Sequence, residues 1–454
     1  MSNAPGGDAS NAPGVDASRA TAPAPALPAP APALPAPAPA LPAPAPAWWR
    51  RPGLDVTGDR LVLNGADLEA LAREHGSPLF VYDLARPAEN VRTLQAALTR
   101  AGVPFVTRFA LKSCPDPRIL AVLRGMGEPG SPSAVGIDAC SPGEVLHALA
   151  NGWEPDEISH TGTNVSERDL DVLLAHPIRL NLDGVSQLER VGRRAPGRTV
   201  GMRINPGAGA GYTEHLAYAG ERPTKFGVTE DRLDDAIAAA RRYGLVVDTL
   251  HFHAGSGWLG QQLDGFEAAL TRATWFLDRL LDAGFPIREV NVGGGLGRIA
   301  RDGEIPVDLD AYARTIHRHL EPYGVTAAFE PGDFVVKDAG VLLGEVVTVE
   351  RRGGTTFVGL DIGWNVNCAY FIYGYAQEVL PVRNPLRERT QVVTIAGHIN
   401  EAGDVFAENY AFPDVAEGEV VAILNAGGYL QAMSMTHCLR PVGQAIYLER
   451  EPAV

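Results

Sequence analysis

The sequence has no long apolar stretch. Its hydrophobic runs are strand length, far short of the roughly 20 residues that a membrane-spanning helix needs. Cysteine is scarce. The four, Cys114, Cys140, Cys368 and Cys438, stand far apart and form no metal-type pair, so reduced thiols in a cytoplasmic protein are expected rather than a disulfide framework. Net positive charge is also missing: 39 Lys plus Arg against 54 Asp plus Glu give a formal charge of -15. That balance repels nucleic acid and anionic lipid, and no basic patch opposes it.

What is present divides the 454 residues into three textures. Residues 1–48 are mostly Ala and Pro and carry the repeat ALPAPAP, with leucines at Leu27, Leu34 and Leu41. Proline removes amide donors and fixes φ, so this stretch is expected to be a solvated, disordered spacer. It lacks the basic start and unbroken apolar segment of a signal peptide. Residues 79–340 repeat one unit: a short apolar run, a turn, then an amphipathic helical run. Eight such runs end at Lys112, Cys140, Gly162, Asp183, Asn205, Gly255, Gly295 and Gly332. Eight strand–helix units predict an α/β fold of the TIM-type (β/α)8 kind. Ser141, Pro142 and Glu144 mark one helix start, as N-cap, first-turn proline and capping-box partner. From residue 341 onward strands follow one another without helices, which predicts an all-β C-terminal domain. The run RLVLNG within residues 49–78 is a candidate to pair with it.

Chemistry in a barrel of this type sits at the carboxyl ends of the strands. There the sequence puts Lys112, Asp138, Arg203, His253 with Ser256, the triplet Gly293, Gly294 and Gly295, and Glu330. Three successive glycines let backbone amides approach an anion, though a tight turn alone accounts for them equally well. A lysine closing a buried strand is expected to lose its proton through desolvation and so attack a carbonyl; a surface lysine that snorkels to water is the plainer alternative. Together these residues match a cofactor that has a phosphate, an aldehyde and a pyridine nitrogen, with Glu330 as partner of the ring nitrogen. His251 and His253, two apart, are also compatible with a metal, as in a hydrolase, but no third ligand stands out. The expectation is therefore no metal.

The segments FALKSC, GIDACSPGE, KFG, HFHAGSG, NVGGGLG, EPG and NAGGY occur here in one order. In that order they resemble the fold-type III pyridoxal 5'-phosphate (PLP) decarboxylases, the family of diaminopimelate decarboxylase and eukaryotic-type ornithine decarboxylase. The resemblance runs from about Leu54 to the C-terminus. It implies a Schiff base on Lys112, ring stacking by His253, Glu330 on the pyridine nitrogen, and phosphate contacts from Ser256, Gly294, Gly295 and Tyr429. Asp138 and Arg203 resemble a supporting pair near the lysine, and Gly332 belongs to the cofactor-binding EPG. The segment INEAGD resembles the family's Cys-Glu-Ser-Gly-Asp motif, which implies that Glu401 meets the substrate's distal end across a homodimer interface, so that active sites are shared.

Three positions depart from the family pattern. Asp333 stands where an arginine usually follows Glu-Pro-Gly, and Ala369 stands where diaminopimelate decarboxylases carry a second arginine, four residues before Tyr373. Two missing guanidinium forks remove the bidentate partners of a distal carboxylate. The expected substrate is thus an amino acid, free or carrier-attached, with a cationic or polar distal group near Asp333, Tyr373 and Glu401, and not diaminopimelate. The third departure is Asn400, in the place of the family's acidic cysteine. An amide is no comparable acid, which leaves water, Lys112, Cys368 or His398 to donate the proton. Besides a decarboxylase, a PLP-dependent racemase or epimerase and a catalytically altered PLP-binding homologue remain open on sequence alone.

Overall fold

The computed structural model describes residues 47–213, 216 and 223–450. The Ala/Pro-rich repeat lies outside them. Three short antiparallel strands come first, β1 (Leu54–Thr57), β2 (Arg60–Leu63) and β3 (Ala66–Asp67). Helix α1 (Leu68–His75) follows, its N-terminus capped by the Asp67 side chain. The run RLVLNG thus pairs within its own small sheet, touching the C-terminal domain where Leu61 N donates to Val382 O.

Eight parallel strands close into a barrel in sequence order. They are β5 (Phe105–Ala110), β6 (Val135–Ala139), β7 (Ile158–Gly162), β8 (Arg179–Leu182), β9 (Thr199–Arg203), β10 (Val246–His251), β11 (Glu289–Asn291) and β12 (Thr326–Phe329). Each matches one of the eight apolar runs, because strands covered on both sides tolerate few polar side chains. The expected capping at Ser141 is present: its Oγ accepts from Glu144 N at 3.2 Å. The Glu144 carboxylate reaches one residue further back, to Cys140 N at 2.7 Å.

Two details differ from the sequence pattern. Only the four-residue helix Asp333–Val336 follows β12 directly; α2 (Arg86–Arg100), which precedes β5, packs there instead, against the helix Leu309–Leu320 and the helix Pro117–Arg124. The second concerns the boundary at residue 79. Strand β4 (Leu79–Asp83) is as apolar as a barrel strand yet pairs with the C-terminal sheet, because its edge is complemented there on both sides.

That sheet is mixed. Its strands β13 (Gly340–Arg352), β14 (Thr355–Leu360), β15 (Val379–Pro381), β16 (Gln391–Ala396), β17 (Val405–Phe412) and β18 (Val420–Ile423) run in the order β15-β18-β13-β14-β16-β17, and β19 (Gln444–Leu448) adds to β4. Its short helix Ala369–Tyr373 and the segment around Tyr429 reach the carboxyl-terminal mouth of the barrel. Among the described residues no helix is long and apolar enough to cross a membrane.

Candidate active site

A cavity of about 500 Å3 opens at this mouth, within the range of small-molecule sites. Lys112 reaches it from a single tight turn after β5, held by Ser113 Oγ donating to Ala110 O at 2.7 Å and by Tyr429 N donating to Ser113 O at 2.8 Å. Asp138, Arg203, His253, Ser256, Gly294, Gly295, Glu330, Gly332, Asp333, Tyr373 and Tyr429 line the same space. Three sequence candidates do not. Gly293 lies behind the wall, its amide taken by Asn291 Oδ1 at 2.9 Å. Asn400 and Glu401 are exposed on a loop anchored by Asp404, which accepts from Trp364 N at 2.7 Å and Ile399 N at 2.5 Å. Glu401 meets His437 at 3.6 Å.

Glu330 is the most heavily supported acid. Asn291 Nδ2 donates to it at 2.6 Å and His251 Nε2 lies 3.1 Å from its other oxygen. Burial opposes its charge, but His251, then Lys112, prevail and hold the carboxyl well below the usual carboxylate range. His251 is thus tied to Glu330 through its Nε2. His253 turns elsewhere: its Nδ1 accepts from Gly294 N at 3.2 Å, which leaves the ring proton on Nε2, 3.5 Å from Ser256 Oγ. Burial, with Lys112 and Arg203 nearby, pushes its basicity far down, so the ring is neutral.

Lys112 runs against expectation. Cys140, then Tyr429, Asp138 and Glu330 outweigh desolvation and raise its affinity for a proton. Burial itself pushes the Cys140 thiol up to about 12. Buried beside Glu330, Asp138 moves upward and keeps its proton. Nor do Asp138 and Arg203 pair: Arg203 Nη1 donates to Asp183 at 3.1 Å, and its guanidinium lies 4.5 Å from the Phe226 ring centre.

Close approach explains two of the glycines. A Cβ on Gly294 would fall 2.2 Å from Glu330 O, and one on Gly332 would fall 2.9 Å from Tyr429 Oη. Tyr429 itself has a φ of 61°, an unusual conformation for a bulky residue and of the kind that clusters at ligand sites.

The departures at 333 and 369 read differently in three dimensions. Ala369 lines the cavity and offers no cation. Asp333 does not face the cavity as a lone anion: Lys337, one helical turn on, donates to its Oδ2 at 3.0 Å. Sequence reasoning passed over Lys337, Tyr212, Tyr375 and Cys140, all of which line the cavity. The Asp-x-x-x-Lys spacing of 333 and 337 carried a local signal, and Cys140 closes one of the eight strand runs.

The fold, the site and the comparisons agree on a class: this chain belongs to the pyridoxal-dependent decarboxylases. Residues 88–337 match the pyridoxal binding domain of that family. The chain is 36% identical over 400 residues to diaminopimelate decarboxylase of Methanothermobacter thermautotrophicus, covering 86% of this chain and 91% of the relative. With diaminopimelate decarboxylase of Streptomyces coelicolor it shares 32% identity over 84% of this chain and 86% of the relative. A crystal structure of diaminopimelate decarboxylase, 30% identical, superposes with a TM-score of 0.72 over 88% of this chain and 94% of that one. The lysine/ornithine decarboxylase of Vibrio vulnificus, solved with putrescine, shares the fold at a TM-score of 0.69 and 21% identity, over 84% of this chain and 95% of that one. The chain is a PLP-dependent amino-acid decarboxylase.

Proposed function

We propose that this enzyme removes the α-carboxylate of an amino acid other than diaminopimelate, one whose side chain ends in a polar rather than an anionic group. The observation that carries this is the loss of both guanidinium forks at the substrate end of the cavity, to Asp333 and Ala369. The donor set fits the cofactor: an ammonium at Lys112, a carboxylate kept ionised at Glu330, a neutral imidazole at His253, and a glycine wall that a Cβ would fill. When bound, PLP supplies a pyridine ring that accepts the electron pair freed as carbon dioxide departs.

The chain's own groups divide the remaining work. Lys112 is the point of covalent attachment, and its protonated state means that a proton must leave before it acts as a nucleophile. Glu330, backed by His251 and Asn291, keeps a proton on the ring nitrogen. His253 would cover one face of the ring. Ser256, Gly294, Gly295 and Tyr429 would hold the phosphate, while Arg203, pinned by Asp183, and Asp138 line the same cavity as the lysine. Tyr373, whose hydroxyl lies 3.5 Å from Met433 Sδ, faces the substrate with Asp333. Asn400 cannot replace the acid it displaces. Of the thiols, Cys140 lines the cavity, whereas Cys368 and also His398 do not. Asn400 and Glu401 stand clear of their own chain's cavity, which supports a homodimer in which each copy completes the other's site.

The test is to incubate purified holoenzyme with a panel of amino acids, carbon dioxide release and the chirality of recovered substrate being followed together. Gas from a polar, non-anionic substrate is expected. Racemisation without gas, or turnover confined to meso-diaminopimelate, overturns the proposal.

A further inference from the structure

The substrate end of the cavity contains a charge pair enclosed by aromatic rings. Lys337 donates to Asp333 Oδ2 at 3.0 Å and to Tyr212 Oη at 2.9 Å, and Tyr212 Oη in turn donates to the same Asp333 oxygen at 3.0 Å. The Lys337 ammonium sits 4.1 Å from the Tyr212 ring centre and 4.3 Å from that of Tyr375, and the two rings are 4.7 Å apart. These four residues come from three parts of the chain, the loop after β9, the short helix after β12, and the C-terminal domain, yet all line the cavity. Such an ammonium, bonded to a carboxylate and faced by two π systems, spends its charge internally.

We infer that Lys337 is a specificity-determining residue: by cancelling Asp333 it makes this wall of the substrate pocket electrically neutral, so that the enzyme takes amino acids whose side chains end without charge there. The inference deepens the proposed function and rests on it. In a low-dielectric pocket, removing one member of the pair exposes the full charge of the other. Lys337→Met leaves an unpaired Asp333 that attracts a distal cation, and Asp333→Asn leaves an unpaired Lys337 that attracts a distal anion. Removing both restores a neutral wall.

Product amines test this without turnover. Pentylamine, 1,5-diaminopentane and 5-aminopentanoate share one carbon chain and differ only in ending as methyl, ammonium or carboxylate. Each is titrated into PLP-loaded enzyme, with the shift of the cofactor absorption band giving its dissociation constant. The wild type is expected to bind pentylamine at least as tightly as the other two. Lys337→Met should improve 1,5-diaminopentane relative to pentylamine by roughly tenfold or more, Asp333→Asn should do the same for 5-aminopentanoate, and the double variant should return to the wild-type order. Circular dichroism checks that each variant is folded, and if Lys337→Met is not, Asp333→Asn decides alone. A wild type that itself favours either charged amine by roughly tenfold, or one order shared by all four proteins, overturns the inference while leaving the decarboxylase reading intact. If no amine shifts the band of any protein, both fall.

Discussion

The barrel has two polar mouths, and they solve the burial of charge in opposite ways. At the amino-terminal end, beside a cavity of about 560 Å3, Arg108 meets Glu289 through two parallel bonds of 2.7 and 2.9 Å. Each guanidinium edge faces a carboxylate oxygen, and Arg179 adds a third contact at 3.9 Å. At the carboxyl-terminal end Lys112, Asp138 and Cys140 share a cavity, and Lys112 is held by charge rather than by a matched fork. A bidentate pair has satisfied its charges and has nothing left to offer a ligand. A lysine at the cavity wall with no matched fork can still form and break bonds. Burial alone therefore does not mark the reactive end; incomplete pairing does.

Lys112→Ala should remove the reactive end and leave the other untouched. The variant should fold with unchanged thermal stability, trap no cofactor on borohydride treatment, and lose activity by about 10²–10⁴-fold or more. Trapping on another lysine would erase the distinction between the two mouths. Arg108→Met strikes the opposite end. Because it leaves Glu289 buried and unpaired, it should cost about 3–5 kcal/mol in denaturant unfolding, while the residual folded fraction still takes up PLP. A cost under about 1 kcal/mol would mean that the pair behaves as an exposed one does.

The sequence carried much of the reactive mouth and little of its electrostatics. The ends of β5 to β12 were legible because buried parallel strands are continuous apolar runs, and Lys112, His253 and Glu330 follow from counting those ends. Periodicity could not tell that Leu79–Asp83 joins a different sheet, since a strand covered on both faces looks the same in either. Long-range partners were hidden for a related reason. Arg203 chose Asp183, one strand away, over Asp138, three strands away, and only barrel closure ranks those distances. The charge reversal at Asp333 misled because the compensating Lys337 belongs to a different family position, and a mismatch read one residue at a time shows the loss without its repair.

The two mouths should also respond differently to acid. Arg108 holds the Glu289 carboxyl below its ordinary range against burial. A depressed folded value means that the stabilisation is fully present above the unfolded pKa, near 4.5, and is lost as pH falls through the lower folded value. The stability gap between wild type and Glu289→Gln should therefore shrink by up to about 2 kcal/mol between pH 6 and pH 3, as read from urea midpoints. A gap that stays constant would mean that Glu289 titrates alike in the folded and unfolded chain and that Arg108 does not depress it.

The smallest effect expected is also the one that locates the cofactor most directly. Cys140 lines the reactive mouth, whereas no cysteine lines the other. Cys114 and Cys368 are buried and Cys438 is exposed, so in a Cys438→Ser background Cys140 is the thiol most open to a small alkylating reagent. Its thiol, pushed up to about 12 by burial, should react slowly at neutral pH, where little thiolate exists. Cofactor seated on Lys112 covers the same wall, so PLP should slow iodoacetamide labelling of Cys140 by about 3-fold or more, within the tenfold that one modest contact represents. Peptide mapping after partial labelling reads the effect at a single residue. Labelling of Cys140 that is indifferent to PLP would put the cofactor elsewhere, and the contrast between a satisfied mouth and a reactive one would lose its chemical meaning.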